Sequence, residues 1–427
     1  MLPPPAKIVK IQGSGKLTGV VEVSAAKNSM LRLMVATILT KDTCVLQPYP
    51  QQMLDATVLL KMLGQLGKSI AFEGDSAVIS EPAGFSHDLQ WTDRSIRSTI
   101  LMAAAMLTRF GKACVPNPGG CAIGGGGAGE RKIDLHLMIF EKMGARWEER
   151  GDYLWVECPS GRLQGTDIYL PIRSTGATES GILAGTLAQG TTTIWGPHMR
   201  PEILDLIDLL TSMGANIEIH GQERVVIHGV EELQGTKHTC IPDNVEAFTW
   251  VVAAAATGGD LEIRNFPMQH LEVPLIFLRE AGVRMYTEGD TVIVRNSRCQ
   301  PIDISTGPYP GINSDMQPLF AALAMFAKGE SRIVDLRFEG RYQYAAELAR
   351  MGGRSTVQGN MLRIFGGEPL HGAQVRATDL RAGIALLICG LGAEGETTIE
   401  DAWQIERGYD GIWSKLRDVG ARVEVTT

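Results

Sequence analysis

The sequence predicts an α/β protein built from six copies of one module. Six times along the 427-residue chain, the end of an amphipathic helix is followed by a glycine and then by alternating strand residues. Successive glycines are 77, 70, 68, 70 and 68 residues apart. Modules of about 70 residues are too large for a solenoid repeat, so each is expected to form its own layers of sheet and helix. The segments are LGQLGKSIAF, FEKMGARWEE, LTSMGANIEI, LREAGVRMYT, LARMGGRSTV and LRDVGARVEV, and their central glycines are Gly67, Gly144, Gly214, Gly282, Gly352 and Gly420.

Each part of the module has a physical reason. A glycine ends the helix because it adopts the left-handed backbone conformation without a steric penalty. The apolar and polar alternation that follows predicts a strand, and turns such as EGD, RGD and QGN then lead into a second strand of a hairpin. Helices in ILAGTLAQGTTTIWG, WVVAAAATGGDLEIRN and LLICGLGAEGETTIED are rich in small residues and apolar all round, which predicts that they are fully buried.

Six modules in a chain of this length are expected to divide into two lobes of three, and the cleft between lobes is the default ligand site. The first spacing, 77 residues, is the longest and contains NPGGCAIGGGGAGERKIDLHL at residues 117–137. An insertion at this point is typical of a functional loop. The cleft and this loop are therefore the first places where the sequence predicts function.

Composition excludes several classes of protein. The net charge of −8 gives no reason to expect nucleic-acid binding, and 44% hydrophobic with 21% charged residues is typical of a globular chain. The sequence has no run of 18 apolar residues, and MLPPPAKIVK lacks an apolar signal core, so we expect a cytoplasmic protein. Seven cysteines occur singly without a CxxC pair, and eight histidines show no metal-ligand spacing, so neither disulfides nor a metal site is expected.

Several polar stretches occur where the repeat does not require them. Lys27 and Asn28, in SAAKNSM, precede a predicted helix, where they either contact an anion or serve as an exposed lysine and a helix cap. Arg97, in SIRSTI, lies at the start of an apolar helix, where it either supports anion binding or forms a salt bridge. The turn of RSTGATES, residues 173–180, either caps a buried helix or holds a phosphate.

Three further charged residues and one cysteine stand out. Asp315, in TGPYPGINSDMQ, lies at the entry to a helix. Taken alone, this motif is explained by the favourable interaction of an acidic residue with the N-terminus of a helix. Arg381, in ATDLRAG, and Arg407, in IERGYDG, suit a dianionic phosphate because guanidinium binds it bidentately, with surface ion pairs as the alternative. The glycines at 119–120 and 124–127 around Cys121 cannot build an apolar pocket, so this residue is a nucleophile, a redox thiol or a small residue beside a flexible turn. The lack of a nearby second thiol disfavours redox chemistry.

Taken together, AKN, PGGCAIG, DLHL, GAT, TGPYPG with DMQ, ATDLRAG and ERGYDGI resemble the enolpyruvyl transferase family over essentially the full length and in the same order. The cysteine segment points away from the branch of the family that acts on shikimate 3-phosphate. The resemblance implies the enolpyruvyl transferase fold, a two-lobed inside-out α/β barrel. It places the cysteine loop in a first lobe of residues 23–235, and Asp315 and the C-terminal arginines in a second lobe of residues 1–22 and 236–427.

The resemblance also implies the reaction and the roles of the residues. The enolpyruvyl group of phosphoenolpyruvate would move to a sugar 3′-hydroxyl of a uridine nucleotide, with UDP-N-acetylglucosamine expected, with release of phosphate and without a metal or organic cofactor. Cys121 resembles the acid and covalent-adduct thiol, and Asp315 the group that takes the proton of the acceptor hydroxyl. The expected phosphoenolpyruvate and phosphate ligands are Lys27, Arg97, Arg381 and Arg407, of which Lys27 and Arg407 are also counted as catalytic. The expected acceptor ligands are Asn28, Arg131, Asp134, Ser174, Thr175, Gly176 and Arg341.

Departures from the family pattern leave the acceptor open. Cys121 and Arg131 are ten residues apart, further than in the family, and Lys132 replaces the expected proline. Leu101 and Ile172 stand where the pattern has a tryptophan and a lysine. An alternative acceptor is therefore the ribose 3′-hydroxyl of UMP, as in peptidyl-nucleoside antibiotic biosynthesis. A catalytically silent regulatory relative is a third alternative, and the intact set of charged residues and Cys121 argues against it.

Overall fold

The computed structural model describes residues 7–13, 15–119 and 132–426. None of the helices in these ranges has the combined length and apolar character that crossing a membrane requires. The α-helices are α1 (Lys27–Ala36), α2 (Leu54–Leu66), α3 (Thr99–Phe110), α4 (Asp134–Lys142), α5 (Thr175–Thr186), α6 (Pro201–Ser212), α7 (Asn244–Thr257), α8 (Glu272–Glu280), α9 (Gln317–Phe326), α10 (Tyr344–Arg350), α11 (Leu380–Gly392), α12 (Trp403–Glu406) and α13 (Ile412–Asp418). The strands are β1 (Ile8–Gln12), β2 (Thr18–Glu22), β3 (Cys44–Gln47), β4 (Ser69–Glu73), β5 (Ser76–Ser80), β6 (Lys112–Pro116), β7 (Arg146–Arg150), β8 (Tyr153–Glu157), β9 (Asp167–Tyr169), β10 (Thr191–Trp195), β11 (Asn216–His220), β12 (Arg224–His228), β13 (Lys237–Thr239), β14 (Asp260–Arg264), β15 (Arg284–Glu288), β16 (Thr291–Arg295), β17 (Asp303–Ser305), β18 (Gly329–Val334), β19 (Arg354–Gln358), β20 (Met361–Gly366), β21 (Gln374–Arg376), β22 (Glu396–Glu400) and β23 (Arg422–Thr426).

The six central glycines confirm the predicted module. Each follows a helix, has a φ between 85° and 116°, and precedes a strand that begins two residues later. Gly67, for example, ends α2 with a φ of 116°, and its amide donates to the carbonyl of Gly64. A side chain at this φ would be strained, which explains why glycine recurs at the same place in every module.

The described residues form six sheets, one for each module. In five of them four strands pair in the same pattern, and the sixth, β6-β8-β7, has three strands. The strand after the central glycine pairs antiparallel with its hairpin neighbour, as β4 does with β5. In the last module β23 pairs with β1, so that Ile11 lies opposite Val423. The N-terminal strand therefore completes the sheet of the sixth module.

The chain forms two compact units, which we call the first unit (residues 25–119 and 132–241) and the second unit (residues 7–13, 15–24 and 242–426). The first unit contains sheets β13-β3-β5-β4, β6-β8-β7 and β11-β12-β10-β9, and the second unit contains the other three. The six-module, mixed α/β fold class is thereby confirmed. The lobe boundaries expected from the sequence, at residues 23 and 235, stay a prediction.

Each unit is built on small-residue helices, as predicted. In the first unit α3 packs on α5, and in the second α7, α9 and α11 pack on one another. These helices are buried on nearly all sides. Close packing explains the small residues, because a Cβ on Gly181 of α5 would lie 2.7 Å from Cδ1 of Ile194. The sheets keep an exposed outer face, so the buried helices supply most of each core.

Candidate active site

In the first unit, Lys27 is part of a buried ion triplet. Lys27 and Asn28 are the first two residues of α1, whereas the sequence suggested that they precede the helix, and Ala26 before them provides no side-chain cap. The Nζ of Lys27 lies 3.0 Å from Oδ2 of Asp55, and a guanidinium nitrogen of Arg94 lies 2.8 Å from Oδ1 of Asp55. One buried carboxylate thus contacts two cations, which fixes the position of the lysine. Asp55 and Arg94 were not among the site residues predicted from the sequence.

Arg97, Asn28 and Asp134 also lie in the first unit. Arg97 is half-buried in the turn before α3, and its guanidinium donates to the carbonyl of Lys132 at 2.8 Å. Asn28 is half-buried in the first turn of α1. Asp134 is exposed at the start of α4, where its Oδ1 accepts from the amide of Leu135 at 3.0 Å. Polar groups of all three remain within reach of solvent, as a ligand site requires.

The turn at residues 174–176 begins α5. Ser174 is the N-cap, and its Oγ accepts weakly from the amide of Ala177 at 3.4 Å, so the predicted capping role is present. The hydroxyl of Thr175 lies 3.0 Å from Nδ1 of His198. The remaining amides of the first turn point out of the helix, which favours an anion at this end.

A histidine that was not among the predicted site residues packs against this turn. His136 of α4 is 5% exposed, and its Nδ1 lies 2.7 Å from the hydroxyl of Ser180. A Cβ on Gly176 would lie 2.9 Å from Cε1 of His136, so glycine is needed for this approach. Burial, assisted by the charge of Arg97, lowers the pKa of His136 to about 3. The ring is therefore neutral near pH 7. Its place in the apolar face of DLHL was the only signal in the sequence.

The neutral His136 predicts an acid-sensitive stability. Its pKa of about 3 in the folded chain is below the value of 6.5 expected when unfolded, so between these pH values the unfolded state binds more protons. The free energy of unfolding should fall by up to about 1.4 kcal/mol per pH unit through this titration as the pH drops from 6.5 towards 3. We expect His136→Gln to remove this contribution. Denaturant unfolding of both chains between pH 4 and pH 8 checks this, and parallel pH dependences would contradict it.

In the second unit, Asp315 lies between two buried arginines. Its Oδ1 is 2.8 Å from a guanidinium nitrogen of Arg341, and its Oδ2 is 3.2 Å from one of Arg381. The side chain of Asp315 is 21% exposed, whereas those of Arg341 and Arg381 are 3% and 5% exposed. Burial alone would lower the pKa of Arg341, but Asp315, Asp379 and Asp335 raise it overall. The cluster therefore keeps two cations charged around one accessible carboxylate.

Local structure explains where Arg381 lies. Asp379 is the N-cap of α11, and its Oδ1 accepts from the amides of Arg381 at 2.8 Å and of Ala382 at 3.2 Å. The guanidinium of Arg381 donates to the hydroxyl of Tyr409 at 3.4 Å, and that hydroxyl lies 2.8 Å from the hydroxyl of Thr249. The side chain is thus held from the helix cap at one end and from Tyr409 at the other.

The structure places the predicted site residues in two groups, one in each unit. Arg407 is buried at the end of α12 and donates to the side-chain oxygen of Gln404 at 3.0 Å. Cys121 and Arg131 lie outside the described residues. Within the described ranges, no group of three or more His, Cys, Asp and Glu side chains has the geometry to hold a metal ion. The first group contains Lys27, Asn28, Arg97, Asp134, Ser174, Thr175 and Gly176, and the second contains Asp315, Arg341, Arg381 and Arg407.

Comparisons with known proteins bear on this arrangement. The family model described as EPSP synthase (3-phosphoshikimate 1-carboxyvinyltransferase) matches residues 11–416. UDP-N-acetylglucosamine 1-carboxyvinyltransferase 2 of Carboxydothermus hydrogenoformans is 39% identical over 418 residues, 97% of this chain and 98% of that protein. UDP-N-acetylglucosamine 1-carboxyvinyltransferase of Paracoccus denitrificans is 39% identical over 422 residues, 97% of each chain.

Solved structures agree with the fold. The enolpyruvyl transferase NikO of Streptomyces tendae superposes with a TM-score of 0.87 at 25% identity, covering 99% of this chain and all of the other. EPSP synthase of Acinetobacter baumannii superposes over the same share of each chain, with a TM-score of 0.72 at 18% identity. This second likeness concerns the fold alone.

Proposed function

The chain belongs to the EPSP synthase family of enolpyruvyl transferases, and we propose that it transfers the enolpyruvyl group of phosphoenolpyruvate to the 3′-hydroxyl of UDP-N-acetylglucosamine. The observation that carries this proposal is the accessible Asp315 carboxylate between the buried guanidiniums of Arg341 and Arg381. A base and a fixed cationic surface are what this reaction needs, because a hydroxyl must lose its proton beside an anionic donor.

The proposed reaction has two steps. A proton adds to C3 of phosphoenolpyruvate, and the acceptor hydroxyl attacks C2 while Asp315 takes its proton, which gives a tetrahedral intermediate. Loss of a proton from C3 and of phosphate from C2 then restores the double bond, now on the acceptor. Cys121 is proposed as the acid and adduct thiol.

The cationic residues are proposed to bind the anionic parts of the donor. Lys27, Arg97, Arg381 and Arg407 are assigned to its phosphate and carboxylate. Asp55 holds Lys27 in place and Asp315 holds Arg381 in place, so both cationic groups are positioned before an anion binds. The Nε of Arg341 is buried and has no acceptor in the described part of the chain, which suits a cluster that a ligand completes.

The acceptor is proposed to bind at the first-unit turn. The residues assigned to the acceptor are Asn28, Arg131, Asp134, Ser174, Thr175, Gly176 and Arg341. The names of the relatives at 39% identity favour UDP-N-acetylglucosamine. Two observations support UMP as a second candidate acceptor. The chain is similar over its full length to NikO, and Ile172, where the family has a lysine, is 52% exposed and offers a phosphate no charge.

Phosphate release tests the proposal. The protein is incubated with phosphoenolpyruvate and, separately, UDP-N-acetylglucosamine, UMP, uridine or shikimate 3-phosphate. We expect release with UDP-N-acetylglucosamine, and a product whose mass exceeds that of the acceptor by an enolpyruvyl group. Phosphate release with UMP alone would show that the acceptor is UMP and not UDP-N-acetylglucosamine. A chain that releases no phosphate in single-turnover reactions with any uridine nucleotide would contradict catalysis and support the silent relative.

A further inference from the structure

Asp335 is a buried carboxylate that none of the proposed roles uses. It follows β18 and is 1% exposed. Its Oδ1 accepts from the hydroxyl of Thr306 at 3.0 Å and from the amides of Arg337 at 2.8 Å and Phe338 at 3.1 Å. Its Oδ2 accepts from the hydroxyl of Ser314 at 2.6 Å. Four donors therefore fix both oxygens of this side chain.

The hydrogen bonds continue from Asp335 towards the proposed base. The hydroxyl of Ser314 donates its proton to Asp335, so its oxygen lone pairs face Arg341, whose NH1 donates to it at 2.8 Å. The neighbouring NH2 of Arg341 donates to Oδ1 of Asp315 at 2.8 Å. Ser314 is 4% exposed and Arg341 is 3% exposed, so water does not compete for the bond between these two side chains.

We propose that Ser314 and Asp335 are positioning residues for enolpyruvyl transfer, acting on Asp315 through Arg341; this inference rests on the function proposed above. The guanidinium of Arg341 is planar, so the bond from NH1 to Ser314 also fixes the position of NH2. NH2 is the nitrogen that donates to Asp315. Asp335 in turn fixes the direction of the Ser314 hydroxyl, because a carboxylate only accepts. The chain of bonds thus sets the position of the base relative to the reacting hydroxyl.

The expected effect follows from the precision that proton transfer needs. Without the Ser314 hydroxyl, NH1 of Arg341 is a buried donor with no acceptor, and the guanidinium must shift to find one. A displacement of about 1 Å at a catalytic group lowers a rate by about 100-fold. We therefore expect Ser314→Ala to lower kcat by about 10- to 100-fold, whereas Ser314→Thr, which keeps the hydroxyl, should stay within about threefold of the parent.

A buried serine on β18, the strand that precedes Asp335, provides the matched control. Ser331 of β18 is fully buried, and its hydroxyl accepts from the amide of Ile302 at 3.1 Å. Ser331→Ala removes a buried hydroxyl without touching the bonds to Arg341. It should lower the thermal midpoint as much as Ser314→Ala does, and keep kcat within about twofold.

The experiment measures kcat, KM for phosphoenolpyruvate and the thermal midpoint for the parent chain and for Ser314→Ala, Ser314→Thr, Ser331→Ala and Asp335→Asn. Asp335 also accepts from the backbone amides of residues 337 and 338, so Asp335→Asn can lower the stability of the chain. If it does, the kcat of Ser314→Ala decides whether the inference holds. A loss of kcat confined to Ser314→Ala and Asp335→Asn supports the inference. If the parent is active and Ser314→Ala keeps kcat within about twofold, the inference is wrong and the proposed function stands. An inactive parent would contradict the proposed function itself.

Discussion

Replacing Asp315 by asparagine is expected to lower kcat by about 100- to 10,000-fold, the range that a positioned general base contributes. The amide retains the size of the carboxylate and can still accept from Arg341, but it cannot take a proton from the acceptor. It also leaves two buried guanidiniums, 2.8 Å and 3.2 Å away, without their shared counter-ion. An anionic ligand can then supply the negative charge that Asp315 provided between them.

This second consequence separates a lost base from a lost fold. We expect KM for phosphoenolpyruvate in Asp315→Asn to be unchanged or lower, and inorganic phosphate to raise the thermal midpoint of the variant more than that of the parent. Asp303→Asn is the matched control, because Asp303 lies on β17 of the same unit with its side chain 65% exposed. A variant that keeps a tenth or more of the parent kcat would exclude Asp315 as the base.

The fold was largely predictable because its signals are local. The left-handed glycines and the small-residue helices follow from properties of a few adjacent residues, and all six modules appear where those residues predict them. The pairing of β23 with β1 is different, since it joins the two ends of the chain. No local pattern in either strand specifies that partner.

The site was predictable only in part, for a related reason. Lys27, Asp315 and the arginines occur in segments whose polarity the repeat does not explain. Asp55 and His136, by contrast, match an ordinary helix: one is an acidic residue in the first turn of α2, the other lies on a largely apolar face of α4. Both residues matter because they are buried beside a cation, as Asp55 is at 3.0 Å from Lys27. Only the tertiary structure reveals such a neighbour.

Replacing Lys27 by methionine is the second change for which we expect a large effect. The long apolar side chain keeps the packing of the lysine stem but removes the ammonium that is proposed to meet the donor phosphate. The loss of one preorganised charge at a reacting group costs about 100- to 1,000-fold in rate, or about 2.7–4 kcal/mol. We expect kcat/KM for phosphoenolpyruvate to fall by this amount.

The ion triplet makes the result of Lys27→Met interpretable. Asp55 keeps its bond to Arg94 at 2.8 Å, so the variant leaves no buried carboxylate unpaired, and the thermal midpoint should change little. Asp55→Asn, in contrast, removes the carboxylate that both cations contact and should lower both the midpoint and kcat/KM. Lys61→Met on the exposed face of α2 serves as the control and should behave as the parent. If Lys27→Met retains more than about a tenth of kcat/KM while Asp55→Asn only loses stability, the triplet holds α1 to α2 and Lys27 takes no part in binding the donor.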